Sequence, residues 1–278
     1  MIKLIASDMD GTFLNNKGTY DKEHFDFLFP KMKEKGIQFV AASGNRMERL
    51  HTIFTGKEHD IDYVAENGAL VIDKGETLIR QVMVADDVDA ILAFFAGHEK
   101  DYRIMLSGKD TSYTHKDSSF IVPDLPGFAI DEKEMREFFN NITFLNDFSK
   151  RPQDDITKVT LMVQPSKVEE ITKDFNQTFK GKFSAVSSGF GAIDIIQNGI
   201  HKAWGLDQLM TKYHISRQEI ITFGDGGNDI EMLKFAKYSF AMENAPEYVK
   251  GAANYEAPSN NESGVLQVIE KVLSGDIS

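Results

Sequence analysis

Two short acidic clusters carry the chemistry available to this sequence. The first is Asp8 and Asp10 in MIKLIASDMDGTFL, directly after an apolar run from Met1 to Ala6. The second is Asp225, Asn228 and Asp229 in TFGDGGNDIEML, directly after another apolar run. In a strand, residues two apart point the same way, about 7 Å from each other. Carboxylates that close repel, and one takes a raised pKa unless a cation sits beside them. Mg2+ suits such a place, because it takes a few carboxylate oxygens and keeps waters and phosphate oxygens at its other positions. Gly11 lets the backbone turn sharply away. The plain alternatives are a turn with helix-capping acids at Asp8 and Asp10, and a glycine-rich turn with Asp229 as N-cap. A calcium loop fits less well, since the D-x-D-x-D-G spacing is absent.

For the two clusters to act together, the fold must bring them to one place. An open parallel sheet does so, because the carboxyl ends of its strands share an edge where ligands bind. Two further strand ends then offer what a phosphoryl group needs. Ser43, at the end of IQFVAA, supplies a hydroxyl. Gly44 and Asn45 supply backbone N–H groups at a helix start, which favours anions. Lys202 opens a later helix and can reach the same edge as a point charge. Taken singly, Ser43 reads as a helix cap and Lys202 as a solvated lysine; their placement beside the acids is what singles them out.

The elements that must position these residues alternate strand and helix. IKLIAS reads as a buried strand. Phe25, Leu28, Phe29 and Met32 then form one face of a helix that Gly36 stops. Pro30 inside this pattern predicts a kink or a split. IQFVAA is a second strand and Arg46–Phe54 a helix. DYVAENGALVI reads as strand, turn at Asn67-Gly68, and strand, with a further turn at Asp73-Lys74-Gly75. Near the other end come a helix from His201 to Tyr213, the strand EIITFGD, a helix from Ile230 to Phe235, the strand YSFAM and a helix from Val265 to Leu273. Strands separated by helices predict βαβ units in a doubly wound, mostly parallel Rossmann-like α/β core. The middle has an α+β rhythm. It offers a helix at Val88–Ala96, alternating runs such as YRIML and TSYTH, an acidic helix near Glu132–Phe139, the strand KVTLMV and a helix at Lys167–Phe179. It reads as an inserted domain at 84–189, with the core at 1–83 and 190–278 and joints near Gln81–Val84 and Gly189–Gly191.

Composition bounds the function. The chain has 278 residues, 41% of them hydrophobic with 21 Phe, and 27% charged, which is the profile of a globular protein with a substantial core. Its net charge is −12, from 31 basic and 43 acidic side chains. That sign argues against nucleic-acid and anionic-membrane binding, and it requires a site for an anionic substrate to be reversed locally by a metal or a placed Lys or Arg. With no Cys, disulfides, thiol catalysis and Cys–zinc sites are excluded. Asp8 and Asp10 interrupt the first apolar stretch, so it does not read as a signal peptide. No run approaches the roughly 18 apolar residues of a membrane span. A cytoplasmic protein is expected, a monomer or weak homodimer.

Read together, DMDGT, the SG after the second strand, the Lys of GIHKAWGL and GDGGND resemble the four-motif set of the haloacid dehalogenase superfamily. The inserted region is similar to the α/β cap of its Cof-type branch. AASGN, VAENGA, SGFGAID, HKAWG and YSFAMENA resemble most the sugar-phosphatase members of that branch. The resemblance runs from Asp8 to about Leu273; one departure is Trp204, the only Trp, where a smaller residue is usual. It implies an Mg2+-dependent phosphatase of small phosphorylated metabolites, sugar phosphates above all. Asp8 would be the nucleophile that becomes an aspartyl-phosphate. Asp10 would protonate the leaving oxygen and then deprotonate the hydrolytic water. The metal would lie on Asp8, the Asp10 backbone carbonyl and Asp225. Ser43, Gly44, Lys202 and Asn228 would serve the phosphoryl group, and Asn228 and Asp229 would orient Lys202 and the metal waters. The inserted domain would act as a lid, with substrate choice on loops such as Ser107–Tyr113 or Ser187–Phe190.

Other readings stay open at this point. A phosphomutase or phosphotransferase would pass the same phosphoryl group to a sugar hydroxyl. A non-catalytic phospho-ligand sensor would dispense with Asp10, which this chain keeps. A signalling receiver domain would need adjacent acids and no insertion. GFG at 189–191 reads as a hinge and loop, because no strand–G-x-G-x-x-G–helix unit surrounds it. The seven His show no metal spacing, and Asp194 reads as a solvated strand acid.

Overall fold

A computed structural model describes residues 1–118, 141–189 and 191–277. The acidic helix expected near Glu132–Phe139 and Phe190 of the GFG loop lie outside them. The chain divides into two compact units, Met1–Ile79 with His201–Ser278, and Arg80–Ile200.

The first unit is built on an eight-stranded sheet. Its strands are β1 (Leu4–Ser7), β2 (Gln38–Ala42), β3 (Asp62–Ala65), β4 (Leu70–Asp73), β5 (Glu76–Arg80), which runs one residue into the second unit, and, after that unit, β12 (Ile220–Gly224), β13 (Tyr238–Met242) and β14 (Tyr255–Ala257). Their order is β14-β13-β12-β1-β2-β3-β4-β5. From β14 to β3 all pairs are parallel, and β4 turns back antiparallel on β3. β1 thus lies between β2 and β12, with Ser7 in register with Ala41 on one side and Phe223 on the other.

Strand alternation sends the apolar side chains of the central strands to the two faces of the sheet. Ile5, Phe39, Tyr63 and Phe223 face one side, where helix α1 (Lys22–Glu34) brings Phe25, Leu28, Phe29 and Met32. Leu4, Val40, Val64 and Ile220 face the other, against Leu206, Leu209 and Met210 of helix α5 (Lys202–Tyr213). Helices on both faces make this the doubly wound α/β fold expected from the sequence. α1 runs through Pro30 as one helix and is not split there. Pro30 lies on the exposed face, so the carbonyl that loses its N–H partner can turn to water.

The second unit holds a six-stranded sheet in the order β10-β11-β9-β6-β7-β8. These strands are β6 (Met105–Ser107), β7 (Ser112–His115), β8 (Ile142–Leu145), β9 (Lys158–Met162), β10 (Phe183–Gly189) and β11 (Ala192–Gln197). Helices α3 (Ala85–Phe94) and α4 (Val168–Thr178) supply Val88, Ile91, Ile171 and Phe175 to a core of its own, with Val159, Leu161, Ile193 and Ile195. β11 lies after Gly189–Gly191 in the chain, yet it pairs with β10 and β9. The division therefore falls between Ile200 and His201, later than the joint read from the glycines. Asp194 on β11 is not solvated: it is buried, pairs with Lys158 at 3.1 Å and accepts a hydrogen bond from Thr160 Oγ1 at 2.7 Å. Ser107–Tyr113 spans the β6–β7 hairpin, closed by Gly108 N–H to the Thr111 carbonyl at 2.9 Å.

Candidate active site

Within the first unit, three of the chemically interesting residues leave the sheet at the carboxyl end of a strand. Asp8 follows β1, Ser43 follows β2 and Asp225 follows β12. Because these three strands are neighbours, residues more than two hundred positions apart meet at one edge. The Asp8 N–H donates to the Phe223 carbonyl at 3.0 Å, carrying the β1–β12 ladder into the site.

Carboxylate oxygens of Asp8, Asp225 and Asp229 lie within 4.8 Å of one another. Lys202, the first residue of α5, points into this group with none of its side chain exposed. Its Nζ donates to Asp8 Oδ1 at 2.5 Å and Asp229 Oδ1 at 2.6 Å. Burial disfavours the Lys202 charge, but Asp229 and Asp8 outweigh it and hold the ammonium well above its ordinary pKa. Three acids still face one base. Burial first, then the Asp229 charge, pushes Asp8 well above the usual carboxylate range despite Lys202. The same two causes push Asp225 up to about 7.

The backbone is shaped around these acids. Gly11 has φ +81°, and a Cβ there would lie 2.4 Å from Asp225 Oδ2. Thr12 Oγ1 donates to Asp225 Oδ1 at 2.6 Å. Asp229 accepts from the N–H groups of Asp225 and Gly226 at 3.0 and 2.9 Å through Oδ2, leaving Oδ1 for Lys202. An all-oxygen, surplus-negative set of this kind fits a hard divalent cation.

Other residues singled out in the sequence take different positions. The carboxylate of Asp10 stands outside the group of three. Its Oδ2 accepts from Asn45 Nδ2 at 2.6 Å, and its Oδ1 from Arg49 Nη2 at 2.5 Å. Ser43 is buried, and its Oγ accepts from the Asn45 N–H at 3.1 Å, past the intervening Gly44. Asn228 Nδ2 donates to Asn67 Oδ1 at 2.9 Å. Asn67 sits at φ +55°, and its N–H donates to the Ser43 carbonyl at 3.0 Å, so it ties two strand exits together. Thr12, Arg49, the Asn67 side chain and the Asn45 side chain were not foreseen from the sequence. The i, i+4 spacing of Asn45 and Arg49 across a helix start was the one signal available for that pair, while Thr12 and Asn67 lie inside the DMDGT and VAENGA stretches.

The chain matches the haloacid dehalogenase-like hydrolase family over residues 5–269. It is 37% identical over 272 residues to a 5-amino-6-(5-phospho-D-ribitylamino)uracil phosphatase, YbjI, of Escherichia coli K12, covering 98% of this chain and 96% of that one. The crystal structure of SMU.1108c from Streptococcus mutans UA159 is similar with a TM-score of 0.88 and 41% identity, over 99% of this chain and 100% of that one. A subclass IIB sugar phosphatase, BT4131, shares the fold with a TM-score of 0.75 at 21% identity, over 97% of this chain and 98% of that one. Among the described residues, no helix is long and apolar enough to cross a membrane.

Proposed function

The chain belongs to the haloacid dehalogenase-like hydrolases and is a phosphatase; from that premise we propose that it is a cytoplasmic, Mg2+-dependent enzyme acting on small phosphoric monoesters through Asp8. The single observation that carries this reading is the buried Lys202 ammonium held between Asp8 and Asp229, with Asp225 alongside. A phosphate dianion cannot approach an anionic nucleophile unless cations offset both. Mg2+, held by Asp8, Asp225 and the Asp10 backbone carbonyl, would supply Lewis-acid charge neutralisation at the phosphoryl oxygens. The protein's own residues do the rest. An Asp8 carboxylate oxygen attacks phosphorus, the ester P–O bond breaks, and the departing oxygen takes a proton from Asp10. Water then gives a proton to Asp10 as its oxygen attacks phosphorus. The bond to Asp8 breaks, and both side chains return to their starting states. Lys202 offsets phosphoryl charge throughout, while Ser43, Gly44 and Asn228 hold and orient the group. Asp229 fixes Lys202 by accepting a hydrogen bond from its ammonium.

For the substrate class we propose phosphate on the primary carbon of a sugar or sugar-alcohol chain. The name of the Escherichia coli relative, a phosphoribityl compound, supports this class. The test is phosphate release from sugar phosphates, nucleoside phosphates and 5-amino-6-(5-phospho-D-ribitylamino)uracil, with and without Mg2+. Mg2+-dependent release from a phosphorylated sugar or ribityl chain, without an acceptor alcohol, is the expected result. Release that needs an acceptor would instead make the enzyme a phosphotransferase.

A further inference from the structure

The proton-transfer group proposed above, Asp10, is about one-third exposed, so water and thermal motion would leave an unsupported carboxylate free to rotate. It is not unsupported. Asn45 Nδ2 takes one oxygen at 2.6 Å and Arg49 Nη2 the other at 2.5 Å. The two donors are themselves joined, since Arg49 Nη1 donates to Asn45 Oδ1 at 3.3 Å. The bracket is anchored at both sides. The Asn45 N–H donates to Ser43 Oγ, and the Asn45 carbonyl accepts from the Glu66 N–H at 3.1 Å. Arg49 lies in the first turn of helix α2 (Met47–Ile53) and Asn45 directly before its N-cap, Arg46, so both donors come from one short segment. The nearby Arg46 turns its Nη2 to Glu48 at 2.9 Å instead.

A carboxyl group whose two oxygens each accept from donors on one short segment has its plane fixed, and each oxygen keeps a second lone pair on which the transferred proton can sit. Proton transfer to a leaving oxygen depends on that plane, because the reacting oxygen must lie within hydrogen-bond reach of the atom it protonates. We infer that Asn45 and Arg49 are positioning residues for Asp10, setting the orientation from which it protonates the leaving alcohol. The inference rests on the reading of Asp10 as the acid–base group, and its test separates the two.

The readout is kcat/KM with phenyl phosphate and p-nitrophenyl phosphate in saturating Mg2+. This ratio stops at the first phosphoryl transfer, and the two esters are close in size. Phenolate leaves poorly without a proton, whereas p-nitrophenolate leaves readily. Arg49→Met and Asn45→Ala should each lose about tenfold to 100-fold with phenyl phosphate but less than about threefold with p-nitrophenyl phosphate. Arg49→Lys, which keeps the charge but not the planar fork, should fall between wild type and Arg49→Met with phenyl phosphate. A general loss of structure or of substrate binding would instead lower both esters alike. Equal losses on the two esters, or no loss on either, overturn the inference. Asp10→Asn is the reference: it should show the same split, and larger. If Asp10→Asn splits the esters and the other variants do not, the bracket fails alone; if Asp10→Asn does not split them, the acid–base reading fails and the bracket with it. Should Arg49→Met not fold, Arg49→Lys and Asn45→Ala carry the same comparison.

Discussion

Asp8 and Lys202 touch each other, yet their removal should have opposite effects on stability. The buried group holds three carboxylates against one ammonium. Asp8→Asn takes away surplus negative charge in a place where burial already disfavours it. Turnover should fall on the order of 1000-fold or more with the nucleophile gone, while the thermal midpoint holds or rises. Lys202→Met leaves the buried acids without their cation and should cost about 3–5 kcal/mol in denaturant unfolding. An Asp8→Asn variant with near-normal turnover would remove Asp8 from the nucleophile's role. The raised carboxylates also set a pH dependence. Asp225 rises from its ordinary 3.8 to about 7 on folding, so its contribution to stability is full in acid and is lost as pH rises through about 7. Below that pH a cation must displace a proton to bind; above it the site is bare and repulsive. Mg2+ should therefore raise the midpoint more at pH 8 than at pH 6, as a thermal-shift titration would show. Much of this site was legible in the sequence, because Asp8, Asp225 and Lys202 owe their positions to strand ends and a helix start, which apolar runs and turn residues reveal. The partners of Asp10 were not legible: a hydrogen bond between Asp10 and Arg49 depends on rotamers and on the path of a loop, and neither leaves a periodic trace.

At the scale of elements, α5 is held by acids at both ends. Its first residue, Lys202, meets Asp8 and Asp229; its last turn meets Asp73, which accepts from Lys212 Nζ and, at 2.5 Å, from Tyr213 Oη. Asp73 ends β4, and Asp62 begins its antiparallel partner β3, so the ladder sets two buried acids opposite each other. Burial, with the charge of Asp73 against a hydrogen bond from the Lys74 N–H, pushes Asp62 up to about 6. The sign follows from the raised value: stability from this group is present in acid and lost as pH rises through about 6. Asp62→Asn mimics the protonated acid and its Oδ1 can still accept from Lys74 N–H. It should stabilise the chain by about 1–3 kcal/mol at pH 7.5 and by little at pH 4.5; equal midpoints at both values would contradict this. None of it was visible from the sequence, where Asp73 served only as the start of a turn. Apolar runs bounded by turn residues fix their elements closely, as at Ile230–Phe235 and Tyr238–Met242, whose bounds the structure repeats. Where local rules met tertiary context they misled. Pro30 is tolerated because its helix face is wet, and β11 pairs across a glycine pair that read as a boundary.

For the molecule as a whole, the decisive feature is that, among the described residues, each unit packs a core of its own. The first unit buries its apolar residues on the two faces of the eight-stranded sheet, and the second closes a separate core around Phe175, Val159 and Ile193. Chains with separate cores depart from two-state unfolding. The candidate cation site belongs entirely to the first unit, since Asp8, Lys202, Asp225 and Asp229 all lie within Met1–Ile79 or His201–Ser278. A ligand stabilises only the unit that binds it, by about 2.7 kcal/mol at a concentration 100 times its dissociation constant. Calorimetry should therefore resolve two transitions, with Mg2+ shifting one of them. Phe175 is fully buried, and Phe175→Ala should cost about 3–5 kcal/mol in the second core. That substitution should lower the transition that Mg2+ leaves in place and spare the one that Mg2+ moves. A single transition displaced by both the ion and the substitution would mean that the two cores unfold as one body, and that stability at the acid cluster is set partly by residues in the inserted unit.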